Sequence, residues 1–82
     1  MDFYVYAIKS KKDKRVYVGL SHDVEERLHY HNSGAVFSTK GFVPWILIYK
    51  EKVGSLKFAR EREKYFKTGS GKEFLKNIVL DP

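Results

Sequence analysis

The chain has 82 residues, 43% of them hydrophobic and 16% aromatic, and it contains no cysteine. A chain of this length builds one small core, burying roughly 60% of its unfolded surface; without cysteine, disulfides and thiolate metal sites are excluded. Sixteen Lys and Arg against ten Asp and Glu leave a charge of +6 at pH 7, a balance that serves polyanion binding and plain solubility equally well.

No apolar run approaches the ~18 residues that span a bilayer; the longest, Trp45 to Tyr49, is strand-sized. Met1-Asp2-Phe3-Tyr4 has neither the basic nor the apolar region of a signal peptide. The expectation is a cytoplasmic chain without membrane contact. No repeat, low-complexity tract or linker divides it, so residues 1–82 read as one domain.

Phe3 to Ile8 is continuously apolar and aromatic, a buried strand. Lys9 to Lys14 is a polar, turn-forming break, and Arg15 to Leu20 is a second strand. A symmetric hairpin across that break sets Ile8 opposite Arg15 and Tyr6 opposite Tyr17, cross-strand neighbours on one face. A helix follows, with Asp23 and Glu26 as a capping box and Ser21 as the competing cap. Asn32-Ser33-Gly34 stops it, Gly34 suiting a left-handed C′ position. Residues 35–43 read as a loop over the sheet edge, and Pro44 opens a third strand, Trp45 to Lys50. Ser55 is the N-cap of a second helix that runs to about Lys67. Ser70, with Glu73 as its capping partner, starts a third helix whose apolar stripe is Phe74, Leu75, Ile78 and Val79. The order β-β-α-β-α-α predicts an α+β fold: a small three-stranded antiparallel sheet packed by helices.

Three sets of residues carry chemistry. Leu56, Ala59, Glu63 and Phe66 fall on one stripe of the second helix. A carboxylate among apolar neighbours needs a cation, hydrogen-bond donors or a wet cleft; alternatively it sits at the stripe's edge and pairs with a surface Lys or Arg. Glu61 falls nearly opposite and should be solvated. Arg27 and His31 stand at i and i+4 on the first helix, on one face. A guanidinium fork and an imidazole together could stabilise a phosphorane; the plainer reading pairs Arg27 with Asp23 and leaves His31 at the surface. Tyr6 and Tyr17 are core filler with wet hydroxyls, or a phenol poised as general base. Gly19, with no side chain on their face, would leave room for a phosphate beside Tyr17. The sequence has no Gly-rich phosphate loop, no zinc-spaced histidine pair, and no Ser or Cys nucleophile with a plausible base.

Taken in order, Tyr4-Val5-Tyr6, Tyr17-Val18-Gly19, Glu26-Arg27-Leu28 with His31-Asn32-Ser33-Gly34, Phe37-Ser38-Thr39-Lys40-Gly41 with Pro44-Trp45, and Ala59 to Lys64 leading into Lys67 to Gly71 resemble the GIY-YIG nucleases, in particular their small bacterial stand-alone members. The resemblance covers essentially the whole chain. It implies that Tyr6 and Tyr17 line the active cleft, with Tyr17 the base or water-orienting group and His31 the second candidate for activating water. It implies that Arg27 contacts the scissile phosphate and that Glu63 holds one divalent metal, Mg²⁺ or Mn²⁺. Two positions depart from the pattern: Tyr4 replaces the first glycine of the family name, and Leu20 stands where some active members carry a phosphate-binding lysine, a role Lys40 or Lys9 would have to fill.

The expected function is a metal-dependent DNA endonuclease of repair or recombination, selective for DNA shape and working as a monomer. The alternatives are a non-catalytic nucleic-acid-binding module on the same fold and a protein-interaction adaptor. Gly19, Lys14, Arg15, Lys40, Lys64 and Lys67 are the candidate DNA contacts, with Lys11, Lys12, Lys57 and Arg60 as further phosphate grips; such contacts position DNA without reading it.

Overall fold

A computed structural model of the chain describes residues 2–78. Strand β1 is Phe3–Ser10, β2 is Val16–Ser21 and β3 is Trp45–Gly54; the helices are α1, Val24–Ser33, α2, Leu56–Phe66, and α3, Gly69–Lys76. A short 3-10 turn, Lys40–Phe42, precedes β3. The sheet is antiparallel throughout, ordered β2-β1-β3. The expected α+β order is the observed one.

Both β1 and β3 run further than their apolar residues indicate, and the hairpin register differs as a result. Ser10 remains in β1, where its N–H donates to the Arg15 carbonyl at 2.9 Å. Its hydroxyl accepts from Lys12 N–H and donates to the Phe42 carbonyl, at 3.0 and 2.6 Å. These bonds shorten the break to Lys11–Lys14, and Lys14 takes a positive φ of 67° to close the turn. Shortening the turn slides β2 by two residues. Tyr6 therefore faces Gly19 and Ile8 faces Tyr17, so the predicted Tyr6–Tyr17 pair is corrected to a diagonal one. A shift of two preserves which face each side chain occupies.

β1 is central, and Val5, Tyr6, Ala7 and Ile8 are all buried. Val5 and Ala7 join Val18, Ala59, Phe66 and Leu75 in a core against α2 and α3. Tyr6 and Ile8 join Val24 and Trp45 on the opposite face, with Tyr17 and Leu28 packed against them. A bulge-like irregularity falls in β3 between the partners of Ala7 (Tyr49) and Ile8 (Leu47). Phe66, 1% exposed, contributes about 1.5–3 kcal/mol by its burial.

Local signals set the helix ends. Asp23 caps α1 by accepting from Glu26 N–H, and Gly34, at φ 83°, closes it through N–H contacts to the carbonyls of Tyr30 and His31. Ser55 caps α2 as expected. The third helix corrects its prediction: Thr68, not Ser70, is the cap, accepting from Gly71 N–H at 3.3 Å. Threonine wins because α2 ends one residue earlier and leaves it extended, at φ −80° and ψ 170°. Of the predicted α3 stripe, Leu75 is buried and Phe74 is 48% exposed, while Val79 lies outside the described residues. Arg62 of α2 grips Glu51 of β3 with two bonds, at 2.7 and 2.9 Å, and Tyr49 donates to the same carboxylate.

Candidate active site

The site lies where Tyr6 and Tyr17 look out from the α1 face toward the free edge of β2. Tyr6 is 1% exposed and crosses its partner Gly19. A Cβ on Gly19 would sit 2.7 Å from the Tyr6 hydroxyl oxygen and 3.1 Å from the Tyr17 ring. Glycine is needed here because two aromatic rings close over it. The space predicted for a phosphate beside Tyr17 is thus filled by Tyr6.

The Tyr6 hydroxyl meets His31 Nε2 at 2.8 Å, and His31 Nδ1 meets Thr39 Oγ1 at 2.8 Å. Thr39 in turn reaches the Val36 carbonyl at 3.4 Å. One assignment satisfies every group: Tyr6 donates to a neutral imidazole, whose Nδ1–H donates to the threonine. Burial raises the Tyr6 phenol to about 12, with Arg27 beside it pulling the other way and the charges of Tyr17 and Glu63 adding to the rise. Burial lowers the pKa of His31, and the positive charge of Arg27 lowers it further. Both shifts favour the neutral phenol and imidazole that the chain of bonds requires.

His31 is fully buried, so the surface reading is corrected. Both ring nitrogens are occupied, so it is also corrected as a group that activates water. The spacing that placed His31 beside Arg27 also points it inward, where the loop supplies Thr39. Thr39 was missed as a site residue; beside Ser38 in the loop segment before Pro44-Trp45, nothing local singles it out. The Trp45 indole N–H donates to the Thr39 carbonyl at 3.0 Å, and Asn32 brackets the Trp45 backbone at 2.6 and 3.0 Å. These bonds hold the loop over the imidazole.

Tyr17 packs edge-on against His31, ring centroids 4.9 Å apart. Its hydroxyl makes no hydrogen bond among the described residues, where no buried side-chain N or O lacks a partner; it therefore faces solvent. Arg27 is half-buried and forms no salt bridge among the described residues. Asp23, its expected partner, is engaged as the helix cap.

Glu63 comes from α2, across the sheet, close enough to act on the Tyr6 phenol. Its side chain is 28% exposed and pairs with Lys67 at 3.5 Å. Both readings of the stripe are partly met: Glu63 lies at the edge with a lysine partner, and its charge also reaches the Tyr6 phenol. No group of three or more His, Cys, Asp or Glu is placed to hold a metal among the described residues. A lone, solvent-reachable carboxylate fits a hard cation that keeps most of its waters and takes an oxygen from its substrate.

The predicted cations divide. Arg15 pairs with Asp13 at 2.7 Å and lies 3.5 Å above the Phe42 ring, so it is engaged. Lys40 covers Phe37, whose ring is 84% exposed, and Lys9 lines a small separate cavity. Lys64 is exposed. Leu20 packs against the core on the α2 and α3 face, away from the tyrosines. Lys14 and Lys67 line a cavity that also reaches Tyr17.

Sheet order and helices on both faces are those of a GIY-YIG domain. The GIY-YIG catalytic-domain profile matches residues 2–77, and the chain belongs to this family of nucleases. It is 40% identical over 76 residues to a UPF0213 protein of Staphylococcus haemolyticus (strain JCSC1435), covering 92% of each chain. A UPF0213 protein of Syntrophus aciditrophicus (strain SB) is 37% identical over 81 residues, covering 96% of this chain and 92% of the relative. The solution NMR structure of a UPF0213 protein from Bacillus halodurans superposes with a TM-score of 0.58 at 30% identity, covering all of this chain and 89% of that one. No helix among the described residues is long and apolar enough to cross a membrane.

Proposed function

We propose that this chain is a divalent-metal-dependent DNA endonuclease that hydrolyses phosphodiester bonds, choosing its target by DNA shape in repair or recombination. The observation that carries this reading is Arg27, a half-buried guanidinium that forms no salt bridge among the described residues and lies beside the buried Tyr6 phenol. An unpaired cation in that position is worth keeping only if an anion arrives. Arg27 binds the scissile phosphate and offsets the charge that builds on it. Tyr17 orients the attacking water and serves as the base. Tyr6 and His31 hold the Tyr17 ring in place. Glu63 holds Mg²⁺ or Mn²⁺, which when bound supplies charge stabilisation at the leaving oxygen. The competing Lys67 contact is an exposed i,i+4 pair worth about 0.3–0.5 kcal/mol, too little to keep a divalent cation out. One carboxylate and one candidate base suit a monomer cutting one strand at a time.

That same Lys67–Glu63 pair, together with a Leu20 packed against the core, favours a second reading, a nucleic-acid-binding module without catalysis. Labelled duplex, nicked, flap and branched DNA, incubated with Mg²⁺, with Mn²⁺ and with EDTA, separates the two. Cutting is expected with metal only, strongest on one of the non-duplex shapes. Glu63→Ala and Arg27→Ala should each slow it about a hundredfold or more. Wild-type cutting by Glu63→Ala would sink the metal-site assignment. Binding without cutting, equal in wild type and Glu63→Ala, would establish the module.

A further inference from the structure

A cavity of about 600 Å³ opens along β2, and it is not the cluster just described, sharing only Tyr17 with it. Four lysines border it: Lys14, Lys67, Lys72 and Lys76. Among the described residues no carboxylate lines it, although the chain has ten Asp and Glu. Its accessible wall is the Val16 side chain, 38% exposed, with Tyr17 of the same strand at its rim. Val18, Phe66 and Leu75 close the bottom.

From this geometry we infer that the cavity takes unstacked nucleotides of the strand being cut: the enzyme engages a single-stranded segment beside the scissile phosphate. This rests on the nuclease reading and gives it a substrate class. A strand whose phosphate lies at Arg27 and Tyr17 must leave past one wall of Tyr17, and on one side that wall belongs to this groove. Four lysines, of which only Lys67 has a salt-bridge partner among the described residues, suit a run of backbone phosphates. An apolar wall is the element that decides the form of the strand. A duplex keeps its base faces stacked inside and gains nothing from Val16. A single strand can lay a base face against it. The volume lies within the range of clefts that enclose small ligands, too small for a double helix and adequate for a nucleotide.

The test is affinity measured in EDTA, where nothing is cut, by fluorescence anisotropy. The probes are a blunt duplex and the same duplex carrying a single-stranded oligothymidylate tail. The tailed probe should bind about tenfold tighter. Lys72→Ala/Lys76→Ala should erase that preference and lower the slope of log affinity against log salt for the tailed probe by about 1.4. Both lysines are exposed, and circular dichroism melting checks that the variant folds. Val16→Asp, which sets a carboxylate in the wall, should erase the preference as well. Equal affinity of wild type for the two probes would overturn the inference, as would a preference that survives both variants. Equal affinity with mass rising with concentration in sedimentation would assign the groove to a second copy of the chain, overturning it too. Adding Mg²⁺ and scoring cleavage keeps the two readings apart. Cutting with equal affinities sinks the groove alone; an intact preference without cutting sinks the nuclease alone.

Discussion

His31 is the residue on which the α1 side of the site turns, since its ring touches Tyr17, receives Tyr6 and rests on Thr39. Removing the Tyr6 hydroxyl leaves a buried nitrogen without a donor. Tyr6→Phe should lower the unfolding free energy by about 1–3 kcal/mol in urea titrations. The same buried imidazole makes stability depend on pH. Burial first, and Arg27 second, put its folded pKa below the ordinary value. The unfolded chain, with histidine near 6.5, therefore binds more protons than the folded one just below that pH. The stability it confers is complete above about 6.5 and is lost as pH falls through that value toward the lower folded pKa. Tyr6 acts at the other end: its folded pKa of about 12 exceeds the ordinary 10.0, so stability present below 10.0 is lost as pH climbs toward about 12. Urea midpoints of wild type and His31→Phe across the acid limb check the first claim. A variant that keeps the full acid slope would refute it.

Among the elements, the junction of α2 and α3 is the tightest. A Cβ on Gly71 would run into the Tyr65 carbonyl oxygen and the Phe66 backbone, whereas one on Gly41 would meet nothing within 4 Å. Gly71→Ala should therefore cost about 1–3 kcal/mol of unfolding free energy, and Gly41→Ala about 0.5 kcal/mol or less; thermal melts that rank them the other way would refute the packing argument. This junction also marks where sequence reading stopped. The caps at Asp23, Gly34 and Ser55 were legible because each satisfies its own helix end from a residue next to it. The start of α3 was not, because Thr68 and Ser70 are equal candidates until the end of α2 decides between them. The hairpin register was likewise beyond local reading: it depends on Ser10 bonding to Phe42, 32 residues away in sequence. Motif residues gave the location of the site, while the inward turn of His31 depended on a threonine from another segment.

At the scale of the molecule, one strand serves two cores. Val5 and Ala7 belong to one, Tyr6 and Ile8 to the other, and β1 lies between its neighbours in the sheet. Neither core can open without exposing this strand. The amides of Val5 to Ile8 should be the last to exchange with deuterium, at the rate set by global unfolding and after any in β2 or α3. Faster exchange at Ala7 than at Val18 would contradict a shared central strand. The arrangement leaves β2 as one edge of the sheet, along which Tyr17 and the lysine-fringed cavity lie.

Gly19, Tyr6, His31 and Thr39 lie on four different segments, yet each limits the next. A methyl at position 19 would displace the phenol; shortening the phenol to phenylalanine makes room but leaves the imidazole unsatisfied; replacing the imidazole strands the threonine. A repair at any one link opens a fault at the following one, so the four positions behave as a single heritable unit. A lineage that leaves this combination must change several of them nearly together, or cross an intermediate that folds poorly.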